Sequence, residues 1–313
     1  MASKGSTVEV DGRELSLTNL DKILYPSTGT TKGEVIDYYA RIADLMVPHL
    51  RGRPITLRRF PNGVGDARSF FEKRCPEHRP KWVKTTEIYV SARAGKIPFC
   101  RCEDRPTLTW MAQLAALELH PSLSLVRAIK RPTILAFDLD PGPPAALLDC
   151  CRVALRVRDL FGALGLECFP KTSGGKGMQV YVPLNNPKAT YDQTKPFSQA
   201  VAQLLEKQTP GEVVSQMKKE LRRGKVFVDW SQNDEHKTTI AVYSLRARDQ
   251  PTVSTPLEWK EVEKALRRKD AEPLRFDFTA LLKRVARKGD LFAPVLQLEQ
   301  TLPKLDGLAK AAG

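Results

Sequence analysis

Three aspartates carry the clearest chemical signal in the chain. Asp138 and Asp140 flank Leu139 at the end of the apolar run Ile134-Leu135-Ala136-Phe137, and Asp229 closes a second run, Val226-Phe227-Val228. In an extended strand successive side chains alternate faces, so Asp138 and Asp140 project together, away from Phe137 and Leu139. Carboxylates gathered in a partly dry site drive one another's pKa up, and a pair of divalent cations relieves that conflict. The same cations hold the phosphates of a nucleotide. The pattern predicts phosphoryl chemistry assisted by two Mg²⁺ or Mn²⁺ ions, with Asp138, Asp140 and Asp229 as ligands.

A glycine-rich segment lies between the two runs: Lys171-Thr172-Ser173-Gly174-Gly175-Lys176-Gly177. It is not a Walker A loop, because no G-x-x-x-x-G-K-[ST] occurs. Its glycines free backbone N–H groups to face an anion, while Ser173 and Lys176 add a hydroxyl and a charge. A hairpin turn needing positive φ is the plainer reading; beside three acids, a triphosphate grip is favoured. Lys237 and Arg246, one on each side of a strand expected at Thr239 to Tyr243, are long cations suited to phosphate oxygens.

The elements that must position these groups alternate in type. Thr31-Lys32-Gly33-Glu34 is a capping box opening an amphipathic helix with Val35, Tyr38, Ile42 and Leu45 on one stripe. Pro54 to Phe71 reads as strand, and Leu108 to Leu119 as helix. After Asp140 the turn Pro141-Gly142-Pro143-Pro144 leads into a helix through Leu147, Cys151, Ala154, Phe161 and Leu164, stopped by Gly162 and Gly165. Strands are expected before Phe169, from Met178 to Val182 and at Asp229, with helices at Phe197 to Leu205 and Val213 to Leu221. Thr255-Pro256-Leu257-Glu258 looks like a cap with proline at the first helical position. The mixture predicts an α/β (α+β) fold with a central mixed sheet flanked by helices. One domain over 1–313 is expected, with subregions near 1–125, 126–255 and 256–313.

Bulk composition narrows the partner. Fifty Lys and Arg against thirty-six Asp and Glu leave a formal charge of +14, which favours a polyanionic partner, nucleic acid being the commonest, with a ribosome-adjacent or simply soluble basic enzyme as the alternative. No apolar run spans a bilayer and Met1 to Gly5 opens no leader, so no membrane partner and a cytoplasmic, nucleoid-associated location are expected. Six cysteines are too sparse for a disulfide scaffold. Cys75, His78, Cys100 and Cys102 form two close pairs of soft donors, a candidate structural Zn²⁺ site, with scattered reduced thiols as the simpler expectation.

The motifs in order are Asn19-Leu20-Asp21-Lys22, Phe70-Phe71-Glu72-Lys73, Glu118-Leu119-His120-Pro121, Phe137 to Gly142, Thr172 to Gly177, Asp229 to Asn233, and Lys237 to Arg246. This set resembles the polymerase domain of bacterial DNA ligase D, within the archaeo-eukaryotic primase superfamily, over nearly the whole chain. The resemblance implies a primase-polymerase core. It implies that Asp138, Asp140 and Asp229 bind catalytic metals, and that Ser173, Lys176, Lys237 and Arg246 hold the triphosphate with His120 close by. Phe70 and Phe71 would stack on template bases, where a ring holds any base; core packing is the usual role of such a pair. Asn19, Lys22 and Lys32 would receive a downstream 5′-phosphate, aided by the helix dipole at Lys32. The family's glycine motif ends Gly-x-His-Val, whereas this chain reads Gly177-Met178-Gln179-Val180. Gln179 can hydrogen-bond a phosphate or ribose oxygen but cannot titrate.

The resulting expectation is a template-directed nucleotidyltransferase, using NTPs or dNTPs to fill short gaps bearing a 5′-phosphate in DNA repair. With 313 residues there is no room for a ligase or nuclease module, so a free-standing relative is expected. End joining with a separate ligase and end-binding protein is the alternative, as is a catalytically weakened protein that binds gaps or ends. A nuclease is disfavoured, since hydrolysis has no use for a triphosphate site.

Overall fold

The apolar run ending in the DLD pair forms Ile134–Pro141, the middle strand of a five-stranded sheet in the computed structural model. The structure describes residues 5–311, without the side chains of 309–311. The Met1 to Lys4 stretch read for a leader, and the chain end at Gly313, lie outside them.

Contacts divide the chain into two units: Met1–Ser122 with Thr238–Val253 and Asp277–Gly289, and Leu123–Lys237 with Ser254–Phe276 and Asp290–Gly313. The second unit contains the DLD sheet. Its strand order is Phe169–Thr172, Met178–Pro183, Ile134–Pro141, Val226–Asp229 and Val213–Val214. The neighbours are antiparallel except the last pair, which is parallel, so the sheet is mixed as expected. One face is largely apolar. Phe137, Leu139, Met178, Val180 and Val228 bury there with residues of the helices Leu147–Ala163 and Tyr191–Gln208. Phe137 meets Phe161 at 5.5 Å, and Phe161 meets Phe197 at 6.3 Å, between ring centroids. This apolar backing forces the polar side chains of the same strands onto the opposite face.

The first unit is built on the helix Lys32–Leu50, whose capping box is formed as read: Thr31 accepts from the Glu34 N–H, and Glu34 reaches back to the Thr31 N–H. Its sheet runs Phe70–Glu72, Ile55–Arg59, Gly95–Cys100 and Thr85–Ser91, with Ala116–Pro121 also paired to Ile55–Arg59. Three buried tyrosines spend their hydroxyls on backbone carbonyls: Tyr25 on Arg246, Tyr38 on Tyr243 and Tyr39 on Leu117. Each thereby buries a large ring without orphaning its oxygen.

Several expected elements take other forms. Val213 to Leu221 is not a helix, because β-branched Val213 and Val214 pair with Val226 and Phe227, and only Lys219–Arg222 coils into a 3₁₀ turn. Thr239 to Tyr243 joins no sheet; isolated bridges at Thr238 and Leu245 flank it. The Leu108 to Leu119 stretch splits into the helix Arg105–Gln113 and the strand Ala116–Pro121, with Ala115 at φ +55° between them. Gly162 lies inside its helix and Gly165, at φ +73°, takes the left-handed turn. Pro256 bridges to Lys171, and Glu258 is the N-cap of Trp259–Arg268.

The Zn²⁺ expectation is corrected. Cys75 and Cys100 are joined in a disulfide, so their sulfurs are not available as thiolate ligands. His78 is exposed, and Cys102 is buried with its thiol toward the Asp104 carbonyl. Two of the six expected thiols are thus bonded, while Cys102, Cys150, Cys151 and Cys168 are buried and free.

Candidate active site

Strand register brings the acids together. Asp138 stands directly opposite Gln179 on one side and Asp229 on the other, and Gln179 stands opposite Lys171. Lys171, Gln179, Asp138 and Asp229 therefore form one row across four strands, on the face away from the apolar core. Asp140, two residues along, shares that face opposite Phe227 and is exposed.

The electrostatics of the row are lopsided. Burial first, then repulsion from Asp140 and Asp229, pushes the Asp138 carboxyl well above the usual carboxylate range; a Gln179 hydrogen bond and the Lys171 charge oppose this. The Gln179 amide donates to Asp138, and Gln179 is only 2% exposed. Lys171 is wholly buried, its Nζ bonding Ser254 Oγ at 2.6 Å and lying 5.3 Å from the Tyr181 ring centroid. One oxygen of Asp138, Oδ1, is buried without a hydrogen-bond partner. A buried carboxylate oxygen in that state is costly, and a cation is the ligand that would complete it. The all-oxygen donor set of three aspartates suits Mg²⁺ or Mn²⁺.

The three carboxylates do not converge unaided. Among the described residues, no three His, Cys, Asp or Glu side chains are gathered into a metal-holding group. Asp229 turns to its own turn instead, its Oδ1 accepting from the Ser231 N–H at 2.9 Å and hydroxyl at 2.6 Å, and its Oδ2 from Gln232 Nε2 at 2.9 Å. Asn233 then locks this turn to the central strand: its side chain bonds the Ala136 N–H at 2.9 Å and carbonyl at 2.8 Å. The strand Val226–Asp229 has ended by that level, so Asn233 replaces a missing strand partner. Nothing local in the sequence shows which distant backbone the Asn233 amide will meet.

The glycine segment forms the hairpin between Phe169–Thr172 and Met178–Pro183. Gly174 has φ +70°, and a Cβ on Gly177 would sit 2.0 Å from the Leu139 carbonyl oxygen, inside the DLD pair. Ser173 Oγ accepts from the Gly175 N–H at 3.2 Å and the Gly177 N–H at 3.4 Å, so these two amides brace the turn rather than pointing out to a ligand. Lys176 and Lys237 are exposed cations on the second unit.

The first unit holds the other sequence-selected residues. Phe70 and Phe71 are 42% and 59% exposed, so neither is a core residue. Arg59 lies over the Phe70 ring and Arg58 over the Phe71 ring, 5.4 and 5.2 Å from the centroids. His120 and Arg246 meet at Glu118, which is 1% exposed and which composition gave no reason to single out. Asn19, Lys22 and Lys32 are brought together: the Lys22 N–H bonds the Asn19 carbonyl at 3.1 Å, and the Lys32 N–H bonds the Lys22 carbonyl at 2.8 Å. Asn19 adopts φ +54°, a conformation asparagine tolerates better than most residues. Lys32 is buried, with Nζ on the Thr18 carbonyl at 2.8 Å. Burial, then the charges of Lys22 and Arg59, lowers its pKa to about 8.

Known proteins share this arrangement of motifs and fold. The family model of the LigD primase-polymerase domain matches residues 31–292. The multifunctional non-homologous end joining protein LigD of Mycolicibacterium smegmatis is 44% identical over 281 residues, 89% of this chain and 36% of the relative. The bifunctional non-homologous end joining protein LigD of Bacillus subtilis is 32% identical over 276 residues, 88% of this chain and 43% of the relative. The chain thus spans less than half the length of each. The solved polymerase domain of Mycobacterium tuberculosis ligase D in complex with DNA superposes with a TM-score of 0.82 at 40% identity, covering 91% of this chain and 99% of that one.

Replacing Gly177 with alanine tests whether the hairpin must abut the DLD strand. The added methyl has no flexible neighbour to displace, meeting the Leu139 backbone and the rigid Pro141 ring. Gly177→Ala is expected to lower any nucleotidyl-transfer activity by about 100-fold or more, since ångström-scale misplacement of catalytic groups has that effect. Near-wild-type primer extension by a folded Gly177→Ala variant would show that the close approach is dispensable.

Proposed function

Because the chain belongs to the LigD primase-polymerase domain family, we propose that it catalyses template-directed nucleotidyl transfer onto DNA 3′ ends that face a 5′-phosphate. The observation that carries this reading is the row in which Asp229 and Asp138 are register partners, with Asp140 on the same face. In this reading Asp138, Asp140 and Asp229 hold divalent cations, and the orphaned Asp138 Oδ1 is the ligand oxygen already stripped of other partners. When bound, Mn²⁺ or Mg²⁺ ions would supply acidification of the primer 3′-hydroxyl and neutralisation of the triphosphate.

The chain's own residues do the rest. Gln179 fixes the Asp138 carboxylate by donating to it, and Lys171 provides a buried counter-charge along the same row. Ser173, Lys176, Lys237 and Arg246 are assigned to the triphosphate, where cations and hydroxyls stabilise developing charge. His120 is assigned to the nucleotide. Phe70 and Phe71, exposed and backed by arginines, suit stacking on template bases. The formal charge of +14 and the DNA-bound neighbour support a DNA partner. NTPs and dNTPs are the proposed substrates.

Two settings present a 3′ end facing a 5′-phosphate: a short gap, and two aligned broken ends. The relatives' names refer to end joining, which favours the second, with a ligase and an end-binding protein as partners. Gap filling stands as the second reading, and the Asn19, Lys22 and Lys32 cluster is compatible with both.

Replacing Asp138 and Asp140 together with alanine should abolish extension while leaving affinity for gapped DNA within about threefold, because the acids repel DNA unless metal is present. Undiminished extension by the double variant would remove the metal assignment. A second test uses pH. Lys32 is destabilised as a cation in the folded protein, so its charge costs stability below about pH 8, and the cost fades as pH rises toward 10.5. An arriving phosphate reverses that penalty and holds the proton. The affinity advantage of a 5′-phosphate over a 5′-hydroxyl end should therefore shrink as pH rises through about 8. Binding measured by fluorescence anisotropy on the two substrates decides this; an advantage that stays constant to about pH 9.5 would exclude Lys32 as the phosphate's cation.

A further inference from the structure

We infer that Glu118 is a positioning residue for nucleotide binding, holding His120 and Arg246 in fixed orientations from beneath. The inference rests on the nucleotide roles assigned above to those two residues.

Glu118 lies on the strand Ala116–Pro121, opposite Arg58 of the neighbouring strand, and is 1% exposed. Its two oxygens are fully engaged. Oε1 accepts from the Ala247 N–H at 3.1 Å and stands 3.2 Å from Arg246 Nε. Oε2 meets His120 Nε2 at 3.0 Å, and Arg58 Nη1 reaches both oxygens at 3.3 and 3.4 Å. Burial works against the charged carboxylate, but the His120 hydrogen bond and the Arg246 and Arg58 charges outweigh it, so the acid is held down to about 2. Glu118 is thus a permanent anion in a dry setting, and two arginines converge on it.

Two consequences follow for neighbouring groups. An ionised Glu118 accepts, so the hydrogen of neutral His120 sits on Nε2, and Nδ1 is left as the ring's acceptor. Glu118 ion-pairs with Arg246 at the Nε edge, and the Ala247 N–H bonded to the same Oε1 fixes the backbone beside it, so the guanidinium is anchored next to the carboxylate. Tyr25 holds the same stretch through the Arg246 carbonyl at 2.9 Å. The network also supports Phe71: Arg58 lies over its ring, and the His120 ring meets it edge-on at 5.4 Å. One buried carboxylate therefore orients three side chains on the unit that carries the proposed base-stacking and phosphate-binding groups.

Removing the charge while keeping the shape isolates this role. Glu118→Gln is measured in the full chain on a gapped, 5′-phosphorylated DNA with Mn²⁺ and ATP, alongside Glu118→Asp and the wild type. The expected result is an ATP KM raised about tenfold or more in the Gln variant, with kcat within about threefold. Glu118→Asp keeps the charge but draws both oxygens back by one methylene from His120 and Arg246, so its KM should also rise, by a smaller factor than in the Gln variant. A merely structural role would instead lower the melting temperature and the active fraction while leaving the KM of the folded protein unchanged, and that outcome overturns the inference. Should the Gln variant fail to fold, the Asp variant decides by the same split: a raised KM supports positioning, an unchanged one rejects it. A wild type that extends no primer overturns the proposed function and this inference together; an active wild type with an unaltered KM at Glu118→Gln overturns this inference alone.

Discussion

The second unit's chemistry depends on like charges placed side by side. The antiparallel pairing of Ile134–Pro141 with Val226–Asp229 puts Asp138 and Asp229 in register, and the strand period adds Asp140 to the same face. Apolar burial fixes that register. Phe137, Leu139 and Val228 must face the helices, and a slip of one residue would turn them out and the acids in. Hydrophobic burial therefore holds together carboxylates that repel one another. The remaining conflict shows at Asp138, whose carboxyl is pushed up and whose Oδ1 has no hydrogen-bond partner.

Around this conflict the fold places partial remedies. Lys171 is a buried cation in the row, Gln179 donates to Asp138, and the Ser231 and Gln232 groups satisfy Asp229. Gln179 occupies the row position next to Asp138. An amide in that place donates without titrating, so Gln179 itself adds no pH dependence to its bond with Asp138. The first unit solves a related problem with opposite signs: buried Glu118 gathers Arg58, Arg246 and His120, and each partner offsets the other's desolvation.

Local signals were legible in the chain and distant ones were not. The acids at strand ends, the Thr31–Glu34 capping box and the helix after the Pro-Gly-Pro-Pro turn follow from periodicities of two and 3.6 residues, and the structure contains each of them. Val213 to Leu221 misled because a short β-branched pair inside a charged segment mimics a helical stripe until a partner strand claims it. Cys75 and Cys100 misled because spacing alone cannot say whether two sulfurs share a metal or a bond. Asn233 and Glu118 were invisible as supports, since each acts on backbone or side chains about 60 to 130 residues away in sequence. The acids of the row could be read from sequence, whereas the groups that orient them required the tertiary pairing.

The central claim is that Asp138, Asp140 and Asp229 share a cation. Manganese binding followed by electron paramagnetic resonance tests it without any turnover. The wild type is expected to take up Mn²⁺ saturably, and Asp138→Asn and Asp229→Asn should each lose that uptake. The melting temperature of Asp138→Asn should stay level or rise, because that change removes a repulsion from the row without taking an acceptor from any hydrogen bond at Oδ1. Equal Mn²⁺ uptake by both variants and the wild type would contradict the account.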